Sequence, residues 1–364
     1  MESLGMSPFR DVYRERRVFL TGHTGFKGSW LAAWMSQLGA HVTGFASSPP
    51  TTPNHWDLLQ LPVTDVRGDI RDFTALQQAV RSCRPEIVFH LAAQPLVRRS
   101  YRDPLESWST NVMGTANLLE ACRMEQTLRA IVVVTTDKVY ANSERPSGYR
   151  ENDRLGGHDP YSASKAASEL VVESYRKAFF GDRAAPLLAT ARAGNVIGGG
   201  DWSEDRLIPD IVRALDRKQR VEIRFPNATR SWQHVLECVG AYLLLGQQLL
   251  GGKNEFAQPW NFGPDVNDIQ PVSRILNAFQ EHWPEMTWHH PQTQQLHEAS
   301  VLHLDSSSAR SLLGWRPVWN LGCALQATAQ WYRQYATTGR TMTHEQIAGY
   351  VESAMNSGCS WAGS

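Results

Sequence analysis

The sequence has no long apolar run, no excess of charge of either sign and no cysteine framework. No apolar stretch reaches the ~18 residues that a membrane-spanning helix requires, so we expect no membrane partner. Lys and Arg together number 36, as do Asp and Glu, and this balance argues against a nucleic-acid partner held by phosphate neutralisation. The five cysteines are scattered without CxxC spacing, which favours free thiols in a reducing compartment.

A metal-binding pattern, an internal repeat and a secretory leader are missing as well. His289-His290 is the only adjacent histidine pair and has no cysteine nearby, so we predict a solvent-exposed loop there and no metal site. Met1–Arg17 is polar and charged, and we interpret it as a short exposed leader before the first strand. Together these absences favour a soluble, cytoplasmic protein.

The first half of the chain alternates short β-branched runs with longer helical patterns. Such alternation is typical of an α/β protein, a Rossmann-type doubly wound parallel sheet with helices on both faces. We predict strands at Arg17–Thr21, His41–Phe45, Ile87–His90, Ala130–Thr135 and Pro186–Ala191, and helices at Ser29–Leu38, Phe73–Cys83, Pro104–Cys122 and Ser162–Phe180.

After Gly194 the pattern changes to loops with short elements, and we predict a smaller C-terminal substrate-binding lobe. The expected elements there are a helix at Ile208–Asp216, a strand at Val221–Phe225 and a leucine-rich helix at Val235–Leu250. Ligands of doubly wound sheets bind beyond the carboxyl ends of the strands, so we expect the site between the lobes. The predicted division is a dinucleotide-binding domain at 13–193 with returning segments around 231–265, a substrate lobe at 194–230 and 266–340, and a peripheral tail at 341–364.

A glycine-rich segment follows the first strand directly and opens the next helix. Glycines there permit a tight turn and let backbone N–H groups approach a pyrophosphate. His23 and Lys27 in this segment either touch phosphate or are exposed loop side chains. The segment predicts a dinucleotide site that includes Gly22, Thr24, Gly25, Phe26 and Gly28.

The end of the second strand bears on the choice of dinucleotide. Phe45-Ala46-Ser47-Ser48 contains neither the acid that holds an adenosine ribose nor the Arg or Lys that favours a 2′-phosphate. NAD is therefore the favoured cofactor, and Ser47 or Ser48 is a candidate contact to the ribose. Asp69-Ile70 follows a short strand where the adenine edge is expected.

Two polar motifs indicate the chemistry. Tyr161-x-x-x-Lys165 puts a phenol and an ammonium on one helix face, one turn apart. The ammonium stabilises a tyrosinate and lowers the phenol pKa towards neutrality, which suits removing a proton from an alcohol while a hydride leaves its carbon. Asp137-Lys138 adds an acid/base pair that such an oxidation does not need. We therefore predict that oxidation is only the first step.

These segments, in this order, resemble the extended short-chain dehydrogenase/reductase superfamily over roughly residues 17 to 320. The motifs are Thr21-Gly22-x-x-Gly25-Phe26-x-Gly28, His90-x-Ala92-Ala93, Asn111-Val-x-Gly114-Thr115, Tyr161-x-x-x-Lys165 and Arg192-x-Gly194-Asn195-Val196. Within the superfamily the chain resembles the nucleotide-sugar 4,6-dehydratases. It is most similar to their CDP-glucose group, through the segments Gly22 to Trp30, Ala92 to Val97, Arg192 to Trp202 and Trp232-Gln-His-Val235.

The pair after the Ser/Thr position separates the groups of that family. The dTDP-glucose group carries Asp-Glu where the CDP-glucose group carries Asp-Lys, as in Asp137-Lys138. The sequence departs from the CDP-glucose group at Ser231, where those relatives tend to have proline. Lys138 is therefore the residue that favours CDP-glucose.

The resemblance implies a tightly held NAD⁺ and conversion of CDP-glucose to CDP-4-keto-6-deoxyglucose. It implies that Tyr161 and Lys165 act at C4 of the sugar and that Thr136 holds the 4-oxygen. Asp137 and Lys138 would remove water across C5–C6, and which is the acid and which the base stays open. The further cofactor-binding residues that it implies are Ala92, Ala93, Gln94, Asn111 and Thr135.

The candidates for binding the nucleotide sugar are polar residues around the second half of the cleft. Guanidinium groups suit bidentate phosphate contact, and Arg230 is the favoured one. Arg224 is either a phosphate ligand or an exposed strand residue, and Arg192 is either a ligand or structural. His234, like Trp232, either lines the site or packs beneath it. The full set is Gln94, Asn195, Arg206, Leu207, Arg230 and His234.

Two other functions stay open on the sequence. A dTDP- or UDP-sugar 4,6-dehydratase or a 4-epimerase would share all the motifs except Asp137-Lys138. A non-catalytic NAD-binding sensor is the alternative of a different class, although a sensor has no need of an activated phenol. The superfamily habit predicts a homodimer through two long helices, Pro104–Cys122 and Ser162–Phe180.

Overall fold

The computed structural model describes residues 7–145, 147–181, 185–291 and 301–363. Its strands are β1 (Arg17–Thr21), β2 (His41–Ala46), β3 (Thr64–Arg67), β4 (Ile87–His90), β5 (Ala130–Val134), β6 (Leu187–Ala193), β7 (Asn195–Ile197), β8 (Val221–Glu222), β9 (Thr229–His234), β10 (Pro259–Phe262), β11 (Ile269–Pro271), β12 (Trp288–His289) and β13 (Val301–Leu302). Its α-helices are α1 (Phe26–Gln37), α2 (His55–Leu59), α3 (Phe73–Cys83), α4 (Val97–Arg102), α5 (Pro104–Trp108), α6 (Gly114–Arg123), α7 (Pro160–Ala178), α8 (Leu207–Asp216), α9 (Val235–Leu250), α10 (Val272–His282), α11 (Ser307–Ser311), α12 (Leu321–Thr338) and α13 (Thr343–Asn356).

A seven-stranded parallel sheet forms the centre of the protein and confirms the predicted doubly wound fold. Its strand order is β10-β6-β5-β4-β1-β2-β3. β4 and β5 are buried along their whole length, as their continuous apolar sequences require when helices cover both faces. The chain reverses its direction across the sheet between β1 and β4, and the carboxyl ends of those two strands frame the crevice where such folds bind ligands.

One predicted helix is interrupted. The sequence predicts a single helix over Pro104–Cys122, but a π-helical turn at Ser109–Met113 separates α5 from α6. The carbonyl of Asn111 in this turn accepts hydrogen bonds from Thr115 Oγ1 at 2.6 Å and Ser168 Oγ at 2.8 Å. In the turn the Gly114 backbone N–H donates to the carbonyl of Ser109, five residues earlier, and π-turns of this kind are frequent at functional sites.

The chain leaves the main sheet after β6 and returns to it. α9 packs against β5 and β6, and β10 then extends the sheet by pairing with β6. Between and after these segments lies a smaller lobe, in which β9 pairs with β7, β11 and β13. β8 pairs with β12 beside it. This strand covers only Val221–Glu222 and is therefore shorter than the predicted strand Val221–Phe225.

Both termini differ from the prediction of an exposed leader and a peripheral tail. Among the described leader residues, Phe9 and Tyr13 are buried, and the Tyr13 hydroxyl donates to the carbonyl of Leu243. The tail forms α13, which packs on α1. Trp361 stacks on Phe9 with ring centroids 4.9 Å apart. The two ends cover each other because each carries aromatic side chains that burial stabilises.

Glu237 ties the tail to the core from the start of α9. Its carboxylate accepts hydrogen bonds from the Trp319 backbone N–H at 2.7 Å and from the Tyr350 hydroxyl at 2.8 Å. Burial raises the pKa of Glu237 to about 7, against the lowering effect of these bonds.

In the part of the chain that the structure describes, no helix is long and apolar enough to cross a membrane. The same residues contain no group of three or more His, Cys, Asp or Glu side chains that could hold a metal ion.

Candidate active site

A cleft of about 940 Å³ lies between the carboxyl ends of the central strands and the smaller lobe. The glycine turn after β1, the loop after β4 and the residues after β5 line one side. Residues 193–198 and 200–210 and the region around Arg224 and Arg230 line the other. Most sequence-predicted site residues meet here: Gly22, Thr24, Gly25, Phe26, Gly28, Asp69, Ile70, Ala92, Ala93, Gln94, Thr135, Thr136, Lys138, Tyr161, Lys165, Asn195, Arg206, Leu207 and Arg230.

The glycine turn leaves no room for side chains. Gly22 has a φ of +77°, and a Cβ atom there would lie 2.6 Å from the backbone nitrogen of Ala92. A Cβ atom on Gly28 would lie 2.0 Å from the carbonyl oxygen of Gly22. The turn and the loop after β4 therefore form a smooth backbone cradle at the start of α1. Such a cradle fits the pyrophosphate of a dinucleotide.

Around His23 and the ends of β2 and β3, the structure differs in two ways from the interpretation of the sequence. His23 is fully buried, with Nε2 2.9 Å from Asp65 Oδ1, so its side chain does not enter the cleft. Arg67, from β3, donates to the carbonyl of Ser47 at 3.2 Å, although the second strand itself carries no arginine. The guanidinium of Arg67 is also paired with Asp65 at 2.7 Å. Asp69 lies on the cleft wall, paired with Arg71.

Gln94 and Asn111 form a buried joint between the loop after β4 and helix α7. The Gln94 backbone N–H donates to Asn111 Oδ1 at 2.8 Å, and Asn111 Nδ2 donates to the carbonyl of Gln94 at 3.1 Å and to Ser164 Oγ at 2.9 Å. Asn111 is 1% exposed. Asn111 thus holds the loop after β4 against α7 through Ser164, which lies between Tyr161 and Lys165 in the sequence.

The Tyr161 phenol lies beside Thr136 in a buried environment. Burial raises the pKa of Tyr161 to about 12, a hydrogen bond with Thr136 lowers it, and the charge of Asp137 raises it further. The sequence predicted that the Lys165 ammonium lowers the pKa of Tyr161 towards neutrality, and here the largest effect on that pKa, burial, acts in the opposite direction. Desolvation of the phenolate outweighs the nearby positive charges.

Lys165 faces the main chain of β5. Its Nζ donates to the carbonyl of Val134 at 3.0 Å, and the residue is 6% exposed. Burial lowers the pKa of Lys165 to about 8, and the charge of Lys27 lowers it further while that of Glu169 raises it. The ammonium is thus held one helix turn below Tyr161, on the cleft wall.

Asp137 and Lys138 begin a short 3₁₀ turn directly after β5. Thr136 caps this turn, and its hydroxyl donates to Asp137 Oδ1 at 2.9 Å. Lys138 Nζ lies 3.6 Å from the same oxygen. The Lys138 side chain is 22% exposed and lines the cleft, whereas the Asp137 side chain is 1% exposed. The lysine therefore has the better access to a bound ligand, with the carboxylate immediately behind it.

Arginines dominate the side of the cleft formed by the smaller lobe. Arg230 is 3% exposed and donates to the carbonyl of Thr229 at 3.0 Å. Arg206 pairs with Asp201 at 2.9 Å, and Arg224 pairs with Asp205 at 2.8 Å. All three guanidinium-bearing residues line the cleft, as do Asn195 and Leu207. This wall suits a diphosphate.

His234 does not reach the cleft. It is 0% exposed, and its ring packs against those of Trp30 and Trp319 at centroid distances of 5.8 and 5.0 Å. Burial lowers the pKa of His234 to about 3, so the ring is neutral. Of the two alternatives that the sequence left open, the structure has the one in which His234 packs beneath the site. Trp232 lines the cleft, and its indole N–H donates to the carbonyl of Gln270 at 3.2 Å.

The family model described as GDP-mannose 4,6 dehydratase matches residues 19–328. The chain belongs to this family. It is 44% identical over 333 residues to a CDP-glucose 4,6-dehydratase of Salmonella typhimurium, a match that covers 90% of this chain and 93% of the relative. The predicted membership in the nucleotide-sugar dehydratases of the extended short-chain dehydrogenase/reductase superfamily is confirmed.

Solved structures share the fold of this dehydratase family member. The epimerase Mth375 of Methanothermobacter thermautotrophicus superposes with a TM-score of 0.79 at 21% identity, covering 90% of this chain and 95% of that one. A dTDP-glucose 4,6-dehydratase of Streptomyces venezuelae, solved with NAD and TYD bound, superposes with a TM-score of 0.75 at 24% identity, covering 88% and 98%. These likenesses establish the shared architecture.

The sequence motifs did not reveal one buried cluster of polar side chains in this protein. Glu169, one helix turn after Lys165, forms a bidentate pair with Arg192, with both N···O distances 2.9 Å. Glu169 also accepts hydrogen bonds from Thr135 Oγ1 at 2.5 Å and Thr190 Oγ1 at 2.8 Å. Arg192 is therefore structural, and Thr135 is held from behind. The four-residue spacing from Lys165 was the available signal, since it places Glu169 on the same helix face.

Proposed function

We propose that this protein converts CDP-glucose to CDP-4-keto-6-deoxyglucose with NAD⁺ as a resident cofactor. The observation that carries the proposal is the meeting of Thr136, Lys138, Tyr161 and Lys165 on one cleft wall, with Asp137 directly behind. The similarity to the Salmonella typhimurium CDP-glucose 4,6-dehydratase supports the choice of reaction and of nucleotide. The Asp-Lys pair supports the same choice.

The residues present fit NAD⁺. The glycine cradle, which a Cβ atom on Gly22 or Gly28 would fill, suits the pyrophosphate, and Asp69 lies on the wall expected for the adenosine. Solved relatives that share this fold contain NAD. When bound, NAD⁺ would accept the hydride from C4 of the sugar and return it to C6.

For the oxidation, Tyr161 takes the proton of the 4-hydroxyl while Thr136 holds the 4-oxygen. Burial raises the pKa of the Tyr161 phenol to about 12, and much of this rise must be offset before the phenolate acts as a base at neutral pH. The ammonium of Lys165 is the nearby charge on the same helix face that can favour the phenolate. The Glu169–Arg192 pair holds Thr135, and with it the residues that follow β5.

For the elimination, the C4 ketone acidifies the C5 proton, and Asp137 and Lys138 remove water across C5–C6. One residue takes the C5 proton and the other protonates the departing 6-hydroxyl, so one water leaves. The hydride returned to C6 and a proton returned to C5 then complete the product. Lys138 lines the cleft and Asp137 lies behind it, within 3.6 Å. Arg230, with Arg206 and Asn195, would hold the diphosphate on the opposite wall.

The deciding experiment incubates the purified protein with CDP-glucose, dTDP-glucose and UDP-glucose and assays the 4-ketosugar by its absorbance in alkali. We expect the product from CDP-glucose, formed at least about tenfold faster than from the other two. A difference of this size requires about 1.4 kcal/mol of discrimination at the base. Product from dTDP- or UDP-glucose alone would instead favour the alternative dehydratases, and no ketosugar from any of the three would favour a 4-epimerase or an NAD-binding sensor.

We also propose that the protein is a cytoplasmic homodimer. In each subunit, residues 13–193 and the returning segments around 231–265 would form the NAD-binding domain. Large apolar side chains are exposed along the two predicted dimer helices: Leu105, Trp108, Met113, Leu170 and Phe179, with exposed fractions from 40% to 78%. Exposed apolar patches of this kind favour a protein partner. Light scattering after gel filtration should give twice the chain mass of 40.8 kDa.

The dimer surface can be tested with one matched pair of variants. Leu170→Glu should shift the protein towards the monomer, because a charge in an apolar interface is left without a partner. Val266→Glu is the control, since Val266 is also exposed but lies in the smaller lobe, away from α5, α6 and α7. A Leu170→Glu protein with the dimer mass would contradict this surface.

A further inference from the structure

Three helices supply the side chains that hold one loop of the smaller lobe, residues 199–203. The indole N–H of Trp30 in α1 donates to the carbonyl of Gly199 at 2.9 Å. Arg213 of α8 donates to two further carbonyls of this loop, at 2.8 and 3.0 Å. The third helix is α12, which contributes Tyr332. The position of the loop is therefore fixed by its neighbours in the fold.

The hydroxyl of Tyr332 bonds both backbone groups of Asp201. It donates to the carbonyl of Asp201 at 2.5 Å and accepts from the N–H of the same residue at 3.1 Å. Tyr332 is 1% exposed and lies behind the loop, outside the set of described residues that line the cleft. It can therefore act on a ligand only through Asp201.

Both carboxylate oxygens of Asp201 have a partner. Oδ1 accepts from the backbone N–H of Ser203 at 3.0 Å, and Oδ2 accepts from Nη1 of Arg206 at 2.9 Å. The Asp201 side chain is 5% exposed, so the ion pair is shielded from water on the carboxylate side. Because its backbone and its other oxygen are already held, Asp201 presents Oδ2 to the guanidinium in one orientation.

Arg206 continues from this buried carboxylate into the cleft. Its side chain is 32% exposed and lines the cleft, and Nη1 makes the only hydrogen bond that the guanidinium has with a described residue. The other N–H groups are available to a ligand. A flexible arginine loses rotamer freedom when it binds a phosphate, so fixing one edge of the guanidinium beforehand lowers the cost of binding.

We propose that Asp201 is a positioning residue that orients Arg206 towards the substrate diphosphate, and that Tyr332 holds Asp201 for this purpose. The inference rests on the proposed function, which assigns Arg206 to the diphosphate. Neither Asp201 nor Tyr332 exchanges a proton with the sugar, so the balance of the reaction is unchanged. Both should affect the binding of the nucleotide sugar and leave its chemical conversion in place.

The first measurement is the dissociation constant of CDP, which carries the diphosphate and lacks the sugar on which the reaction occurs. Asp201→Asn keeps the shape of the side chain and removes its charge, and we expect about tenfold weaker binding of CDP. Tyr332→Phe removes only the hydroxyl behind the loop and should weaken CDP binding about threefold.

Turnover of CDP-glucose separates binding from chemistry. Both variants should raise KM by factors similar to those for CDP and leave kcat within about threefold of wild type. The reason is that Arg206 keeps its charge and the groups that follow β5 are intact. A change in packing that disturbed the whole site would lower kcat as well.

A double-mutant cycle tests whether Asp201 acts through Arg206. Adding Asp201→Asn to Arg206→Met should weaken CDP binding by no more than about twofold further, because the guanidinium to be oriented is already gone. Tyr335→Phe is the control for Tyr332→Phe, since Tyr335 lies on the same helix and packs through its ring against Trp202. This control should bind CDP like the wild type. Wild-type NAD content in every variant establishes that the cofactor site is folded.

Three results would overturn the inference. Wild-type affinity for CDP in Asp201→Asn or in Tyr332→Phe would remove that residue from binding. Equal weakening by Asp201→Asn with and without Arg206 would show that Asp201 acts by another route, and a lower kcat at unchanged KM would place its effect in the chemical steps. Failure of the proposed function is distinct, since the wild-type protein would then bind CDP but form no ketosugar from CDP-glucose. A wild-type protein that does not bind CDP would overturn both.

Discussion

Lys138→Ala is expected to lower the rate of 4-ketosugar formation at least about 100-fold while leaving oxidation at C4 in place. The variant keeps Tyr161, Lys165 and Thr136, to which the proposed mechanism assigns the chemistry at C4, and loses the amine that lines the cleft beside Asp137. Mixing the NAD-loaded variant with CDP-glucose should therefore produce reduced cofactor, seen by its near-ultraviolet absorbance, without product. The separation arises because proton removal at C5 follows the oxidation that acidifies it.

Two further variants make this result specific. Asp137→Asn should behave like Lys138→Ala, because the proposed mechanism assigns the removal of water to both residues and their side chains lie 3.6 Å apart. Lys253→Ala is the control, an exposed lysine after α9 that should keep the wild-type rate. Full turnover by Lys138→Ala or by Asp137→Asn would remove that residue from the elimination.

Arg192→Met is expected to cause the largest loss of stability, about 3–5 kcal/mol in the free energy of unfolding. Glu169 is 3% exposed and Arg192 2% exposed, so the substitution leaves a carboxylate buried without its cation. Burial acts to raise the pKa of Glu169, but the charge and hydrogen bonds of Arg192 outweigh it and keep that pKa below its usual value. Urea unfolding at neutral pH measures the loss.

The matched variants separate the buried pair from ion pairing in general. Glu169→Leu combined with Arg192→Met should recover much of the stability, because no charge is then left unpaired. Arg150→Met breaks an exposed pair with Asp305 and should change the free energy of unfolding very little. A loss no larger for Arg192→Met than for Arg150→Met would contradict the importance of this pair.

Much of the main sheet and cofactor cradle could be predicted because their signals are local. The strand limits at Arg17–Thr21 and Ile87–His90 and the helix Phe73–Cys83 agree with the structure residue for residue. Continuous apolar runs mark strands that are covered on both faces, and glycines mark a turn in which a Cβ atom would collide. These features depend on residues that are neighbours in the chain.

Three differences from the prediction lie at contacts with partners that are distant in the sequence. The tail was expected to be peripheral because its composition is small and polar, yet Trp361 stacks on Phe9 from the other end of the chain. His234 carries the residue type of a ligand but packs between Trp30 and Trp319. In the π-turn inside the predicted helix Pro104–Cys122, the carbonyl of Asn111 accepts a hydrogen bond from Ser168, which lies on another helix.

The sequence by itself determined the order of the motifs, the class of fold and the presence of Asp137-Lys138 where the dTDP-glucose group carries Asp-Glu. Spacing along one helix was enough to pair Tyr161 with Lys165, because helical periodicity is a local property. Only the tertiary structure decided the ionisation of these groups, since burial raises the pKa of Tyr161 to about 12 and lowers that of Lys165 to about 8. Desolvation depends on every segment that packs around a side chain, and that packing also brings Glu169 to Arg192.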